Sequence, residues 1–237
     1  AALKAEKINV FTPFKEIASA IGDMPKVMWQ LALVYLFQWY ALFCYWQNAS
    51  KSIAKSVWNT TVYQNNPAYE DAVAWSGLVN GWYNIVTFLS AFILLWLAKK
   101  MSPKMIHVIC LIMAAIGLLV FPHITDKNLL FVPMAGFGIA WASMMGIPYL
   151  LVVHKIPKER YGVYMGIINM MIVIPMLLQT MTFGYILKNF LGNDPGKAIS
   201  FAGVLLLLAA VATLLVQSAH KNKNSDGAIT MNGGHEN

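Results

Sequence analysis

Six long runs of apolar side chains constrain what this sequence can fold into. They cover approximately residues 27–47, 73–98, 105–121, 129–153, 161–187 and 198–216, and none contains Asp, Glu, Lys or Arg. A helix needs about 20 predominantly apolar residues to cross a bilayer. Because the runs are continuous and do not alternate with polar residues, they predict helices and not the strands of a barrel. The sequence therefore predicts an all-α membrane protein, a bundle of six transmembrane helices.

Composition supports this prediction and divides the chain into three segments. Hydrophobic residues make up 58% of the chain and charged residues only 11%, with a mean hydropathy of +0.57, whereas about 25% of a soluble domain is charged. Residues 1–25 form an amphipathic lead-in that we expect on the cytoplasmic face, and residues 26–218 hold the six spans. Residues 219–237 are polar and rich in Gly and Asn, which predicts a disordered cytoplasmic tail.

The basic residues predict the orientation of the spans. If the N-terminus is cytoplasmic, twelve of the seventeen Lys and Arg residues fall on the cytoplasmic side and five on the other. This positive-inside bias predicts that both termini are cytoplasmic. It also accounts for the net charge of +7, so the lipid bilayer is the expected partner and no nucleic-acid partner is expected.

The sequence lacks the patterns that are typical of catalytic and metal-binding sites. The two cysteines, Cys44 and Cys110, lie inside predicted spans, and the five His residues show no ligand spacing. There is no phosphate-binding loop and no Ser/His/Asp or Cys/His arrangement on one face. We therefore expect the protein not to be an enzyme and to need neither a cofactor nor a metal.

Amide and aromatic side chains inside the spans are the candidate substrate-binding residues. A buried amide is costly in hydrocarbon unless it finds a hydrogen-bond partner, and helical spacing places several of these side chains on shared faces. Amides bind pairs of hydroxyl groups and aromatic rings stack on sugar rings, so an uncharged sugar suits this set of groups. The candidates are Gln38, Trp39, Tyr45, Asn80, Asn84, Trp141, Asn169 and Thr180.

We expect these side chains to converge on one cavity near the middle of the bilayer, with Trp39 or Trp141 as the stacking platform. One alternative stays open at this point. Amides that pair with one another between helices would satisfy the same physics, with each hydrogen bond contributing about 1 kcal/mol.

Small residues spaced four apart predict where the helices approach one another closely. Gly77 and Gly81 form one such pair in the second span, and Gly162 and Gly166 form another in the fifth. Pro175 lies in the middle of the fifth span, where it removes a backbone hydrogen bond. Transporters tolerate such residues where the backbone lines a cavity.

Two stretches of the chain resemble a known family. The segment "GIPYLLVVHKIPKERYGVYMGIINMMIVIPMLLQTMTFG" resembles the tenth and eleventh helices of a major facilitator superfamily transporter. Within it, "PY" followed by "YGVYMGIINMMIVIP" is similar to the sucrose/maltose branch, which is akin to the glycoside–pentoside–hexuronide:cation symporters. The loop "LAKKMSPKMIH" falls where the superfamily carries a Gly/Asp/Arg-rich motif, of which only Lys99, Lys100 and Lys104 remain.

The resemblance implies that the chain is the C-terminal half of a twelve-helix transporter. It implies a secondary active transporter that moves a neutral sugar, a disaccharide or glycoside, by cation-coupled alternating access in a bacterial inner (plasma) membrane. The coupling cation, a proton or sodium, would be bound mainly by a missing N-terminal half. Two alternatives remain: a facilitator-type transporter of another neutral solute, and a structural subunit of a membrane complex.

Overall fold

The computed structural model describes residues 12–153 and 156–217, and these residues form helices joined by short connections. The tail predicted at residues 219–237 lies outside the described residues. No strand occurs in the two described ranges. The helices are α1 (Thr12–Gly22), α2 (Lys26–Val57), α3 (Pro67–Lys100), α4 (Pro103–Val120), α5 (Phe131–Val152), α6 (Tyr161–Asn189) and α7 (Pro195–Leu215).

The prediction of six membrane-spanning helices is confirmed. Six helices of the described chain, α2 to α7, are long and apolar enough to cross a bilayer. Five of the six helices extend beyond their apolar run, most clearly α2, which continues for ten residues beyond position 47 to Val57, whereas α5 is slightly shorter than its run. This extension is polar in part, but Ala49, Ile53 and Ala54 are buried in the protein core, so packing stabilises it as helix beyond the apolar span.

Local signals explain where several helices begin. Asn66 caps α3 by accepting a 3.0 Å hydrogen bond from the Ala68 amide, and Pro67 occupies the first helical position. Asp194 caps α7 in the same way through the Gly196 amide, at 2.8 Å, and is followed by Pro195. An oxygen-bearing N-cap followed by proline satisfies one free amide of the first turn and removes another, which favours helix initiation there.

Five of the spans form a closed ring. In order around it, α2 packs on α7, α7 on α4, α4 on α5 and α5 on α3, and α3 returns to α2. Helix α6 packs on the outside of α2, and α1 lies against α6. We call the end of the bundle that carries α1 the α1 end.

The two helices that flank α2, namely α3 and α6, are the most exposed. Only 17% of the most apolar stretch of α3 and 22% of that of α6 are buried, against 50–56% in the other four spans. Both are nevertheless as apolar as membrane spans must be. Their outer surfaces are therefore available to lipid or to other protein.

Close helix contacts occur at glycines other than the predicted ones. A Cβ atom on Gly138 of α5 would lie 2.5 Å from the Tyr83 carbonyl oxygen of α3, and one on Gly203 of α7 would lie 2.9 Å from the Ala115 carbonyl oxygen of α4. In contrast, nothing lies within 4 Å of such an atom on any glycine of the two predicted pairs. The prediction of close contacts at Gly77, Gly81, Gly162 and Gly166 is wrong for this chain, because these glycines lie on the exposed sides of α3 and α6.

Polar contacts hold both ends of α7. At the α1 end, Lys104 Nζ donates to the carbonyl oxygens of Leu214 and Val216, both at 2.9 Å. The first turn of α4 thus supplies a cation to the C-terminal carbonyls of α7, where positive charge is favourable. At the opposite end, Lys55 forms a salt bridge with Asp194. Partial burial acts to raise the pKa of Asp194, but hydrogen bonds from Lys55 and Gly196 outweigh it and lower the pKa below its usual value.

Substitution at the α3–α5 contact tests this packing. We expect Gly138→Ala to destabilise the bundle by about 1–3 kcal/mol, because the new methyl group meets a backbone oxygen that cannot move unless α3 and α5 separate. Gly146→Ala is the matched control in the same helix, since a Cβ atom there meets nothing within 4 Å. Unfolding in detergent measures both variants, and equal stability for the two would contradict the close contact.

Candidate functional site

The first pair of candidate residues that the structure brings together is Tyr45 on α2 and Asn80 on α3. Tyr45 Oη donates to Asn80 Oδ1 at 2.9 Å. The tyrosine is completely buried and its ring packs against Phe121 and Phe137, with ring centroids 6.0 and 4.9 Å away. Asn80 is half-buried. One candidate amide is therefore already paired with a neighbouring helix, as the alternative interpretation of these amides expects.

The second group is aromatic and joins α2 to α5. The centroid of Trp141 lies 5.8 Å from that of Trp39 and 5.6 Å from that of Trp46, and both contacts are edge to face. Trp39 is almost completely buried, whereas Trp46 and Trp141 are half-buried. The two alternative platform residues, Trp39 and Trp141, therefore lie in contact with each other, and Trp46 adds a ring that the candidate set did not include.

Gln38 of α2 is the most unusual buried residue among the candidates. Its side chain is completely buried, and neither Oε1 nor Nε2 has a hydrogen-bond partner among the described residues. An unpaired buried amide is costly, by about 1–3 kcal/mol for each unsatisfied group. Such groups are more often kept where function needs them than where packing does, which preserves Gln38 as a candidate.

The remaining candidates lie on exposed surfaces of α3 and α6. Asn84 is exposed, and its Nδ2 donates to the Asn80 carbonyl of its own helix at 2.8 Å. Asn169 and Thr180 are exposed on α6, and Thr180 Oγ1 donates to the Met176 carbonyl at 3.0 Å. Within the described chain no hydrogen bond joins the α6 candidates to those of α2 or α3. The structure therefore divides the eight candidates into a buried or half-buried group on α2, α3 and α5 and an exposed group on α3 and α6.

The candidate set omitted the polar contact between α2 and α6. Gln179 Nε2 donates to Gln47 Oε1 at 3.1 Å and lies 3.6 Å from Cys44 Sγ, and Gln179 is completely buried. A second contact joins the hydroxyls of Tyr40 and Thr182 at 2.7 Å. The sequence signal for the first contact was an amide in an otherwise apolar turn, but spacing alone does not show whether Gln179 or its neighbour Thr180 points toward α2.

The part of the bundle in which the candidate residues lie carries no formal charge. Every Asp, Glu, Lys and Arg residue lies outside the six apolar runs in which the candidates are found. In the two described ranges, no group of three or more His, Cys, Asp or Glu side chains is placed to hold a metal ion. His107, a buried ionisable residue of α4, pairs with α5, where its Nδ1 lies 2.8 Å from Ser143 Oγ. The arrangement can donate and accept hydrogen bonds and stack on rings.

Together these features define a multi-pass integral membrane protein whose spans carry polar, uncharged side chains. Comparison with known families then identifies its superfamily. Residues 4–180 match the family model of the Major Facilitator Superfamily. The chain belongs to this superfamily of membrane transporters, and its six spans are consistent with half of the twelve-helix major facilitator fold. A search of curated proteins finds no match to the chain.

The hydrogen bond between Tyr45 and Asn80 yields a stability prediction. We expect Tyr45→Phe to lower the free energy of unfolding by about 1 kcal/mol, because Asn80 Oδ1 loses its donor in a membrane interior. Tyr35→Phe is the control, since Tyr35 is equally buried on the same helix but makes no hydrogen bond in the described structure. A double-mutant cycle with Asn80→Ala isolates the pair, and a coupling energy of zero would show that the bond does not form.

Proposed function

We propose that this chain is half of a secondary active transporter that moves a neutral sugar, a disaccharide or glycoside, by cation-coupled alternating access. The observation that carries the proposal is the pair of exposed amides, Asn84 and Asn169, on the two spans that flank α2. Polar groups that face lipid are costly. These surfaces are therefore better suited to a water-filled cavity or to contact with a second bundle than to lipid.

The chemistry of the surface supports a neutral sugar. Asn84 and Asn169 can bind hydroxyl groups, and the half-buried rings of Trp46 and Trp141 can stack on a sugar ring. A substrate with a formal charge would need an opposite charge in its site, and the described apolar runs supply none. Gln38 can also bind a hydroxyl group, but only in another conformation. Its amide is buried in the described structure and must first reach the cavity.

The coupling cation, a proton or sodium, is proposed to bind mainly to residues of a second six-helix bundle that corresponds to the N-terminal half of the fold. Intramembrane cation sites usually contain Asp or Glu, and no acidic residue lies in the six apolar runs of this chain. The exposed sides of α3 and α6 are suitable surfaces for that bundle, because alternating access in this superfamily is a motion of one half against the other.

Two hydrogen bonds indicate that some of the amides stabilise helix contacts, and they reduce the set of residues that we propose to contact the substrate. Asn80 pairs with Tyr45 and Gln179 pairs with Gln47, so these amides stabilise helix contacts in the observed conformation. The proposed ligand contacts are therefore those of Asn84, Asn169, Thr180 and the tryptophans. A facilitator-type transporter of another neutral solute would use the same groups, and competition between sugars and such solutes distinguishes the two.

Affinity measurements on the full transporter test the site. We expect Asn84→Ala and Asn169→Ala each to weaken sucrose or maltose binding about tenfold, the effect of one lost hydrogen bond of about 1.4 kcal/mol. Melting should change little, because neither amide bonds to another helix in the described structure. Asn189→Ala is the control, since its Nδ2 also donates to a carbonyl four residues earlier but lies at the end of α6. Affinities within twofold of wild type for both variants would refute the site.

The proposed orientation places the α1 end in the cytoplasm of a bacterial cell, with both termini on that side. We expect Ser102→Cys and Lys158→Cys to resist an impermeant thiol reagent in sealed right-side-out vesicles and to react after permeabilisation. Thr61→Cys, exposed at the opposite end, should react in both conditions. The native cysteines are buried and contribute little background. Labelling of Ser102→Cys or Lys158→Cys without permeabilisation would contradict the proposed orientation.

A further inference from the structure

An apolar groove lies where α1, α2 and α6 meet, and the proposed sugar site does not use it. Its volume is about 420 Å³ and its lining is almost entirely apolar. Helix α1 closes it at one end, and α2 and α6 form its two walls. The lining includes Ile21, Trp29, Leu33, Leu36, Ile167 and Ile174.

The α2 wall ends on a cation. Trp29, Leu33 and Leu36 follow Lys26 at intervals of three, seven and ten residues, which places all four side chains along one side of the helix. Ten residues of helix rise about 15 Å, which is half of a hydrocarbon core of about 30 Å. The wall therefore runs from the membrane surface at the α1 end to the middle of the bilayer, the depth of one leaflet.

The α6 wall also ends on a cation. Ile167 and Ile174 are seven residues apart on one side of α6, and Arg160 is the residue that immediately precedes this helix. Arg160 Nη1 donates to Asp23 Oδ2 at 3.0 Å, which ties α1 to the start of α6. Lys26 is exposed and has no salt bridge to any acidic side chain that the structure describes. Among the side chains that the structure describes, the mouth of the groove thus holds the cations Lys26 and Arg160 and the carboxylate Asp23, which sum to one positive charge.

We propose that this groove binds an acyl chain of an anionic glycerophospholipid from the leaflet at the α1 end, with the lipid phosphate beside Lys26 and Arg160. The apolar walls match an acyl chain in length and chemistry, and the cations match the charge of the headgroup. Trp29 is 54% exposed in the first turn of α2, the level at which tryptophan favours the headgroup region. In the orientation proposed above, this is the cytoplasmic leaflet, where anionic lipids attract basic residues.

A second apolar groove lacks this positive charge and serves as an internal comparison. It lies between α4 and α5 toward the opposite end, has a volume of about 520 Å³, and is lined by residues that include Met113, Val120 and Val132. The connection beside it carries both Asp126 and Lys127, and Lys127 Nζ lies over the Trp75 ring, 4.6 Å from its centroid. That groove can hold an acyl chain, but its surroundings give no net preference for an anionic headgroup.

Photo-crosslinking tests the proposal in the intact chain. The protein is reconstituted into phosphatidylcholine vesicles that contain either phosphatidylglycerol or phosphatidylcholine with a diazirine in one acyl chain, and labelled peptides are identified by mass spectrometry. We expect phosphatidylglycerol to label the α6 wall at Met170 and Met171 about fivefold more than phosphatidylcholine. The two lipids should label Met113 in the second groove equally. Because the lipid is present in both leaflets, the result does not depend on the orientation of the protein or on sugar transport.

Variants separate the roles of charge and shape. Lys26→Gln should reduce the preference for phosphatidylglycerol toward one, whereas Lys26→Arg and Lys197→Gln, an exposed lysine at the opposite end, should keep it. Ala32→Trp places a large ring in the groove and should reduce labelling by both lipids. Equal labelling by the two lipids in the wild type would overturn the proposal. An unchanged preference in Lys26→Gln would overturn it too, and since Lys26 is exposed this variant is not expected to disturb the fold.

Discussion

The hydrocarbon core of the bilayer offers no hydrogen bonds, and this constraint organises the polar side chains of the whole bundle. Most of them are paired: Tyr45 with Asn80, Gln47 with Gln179, and His107 with Ser143. Others bond to a carbonyl of their own helix, as Thr180 does. A few buried polar groups escape both solutions, and Gln38 is the one amide among them in which neither the donor nor the acceptor has a partner in the described structure.

Helix α2 is the element on which this arrangement depends. It belongs to the closed ring through α7 and α3, and it alone among the spans carries α6 by extensive packing. Close backbone contacts fix the ring, since Gly138 lets α5 approach α3 and Gly203 lets α7 approach α4. The attachment of α6 depends instead on side chains, notably the Gln179–Gln47 hydrogen bond and the Tyr40–Thr182 hydroxyl pair.

The helices could be predicted from the sequence because length and apolarity depend only on local composition. Helix contacts could not, as the glycines show. The spacing of Gly77 and Gly81 is the same whether their side of α3 meets a neighbour or not, and Gly138 matters only because Tyr83 of another helix lies against it. The candidate site also contains some features that the sequence predicts and others that depend on helix packing. Helical spacing correctly placed Asn80 one turn from Asn84, but the bond from Tyr45 to Asn80 and the burial of Gln38 depend on which helices become neighbours.

Helix α6 shows why a membrane-spanning helix contains amide side chains as well as apolar ones. Ile167 and Ile174 point to the groove beside α1, whereas Asn169 and Thr180 lie about 200° around the same helix. Gln179, between these two sides, faces α2. One helix therefore presents an apolar side, a paired side and a polar side, and no rotation satisfies lipid on all of them.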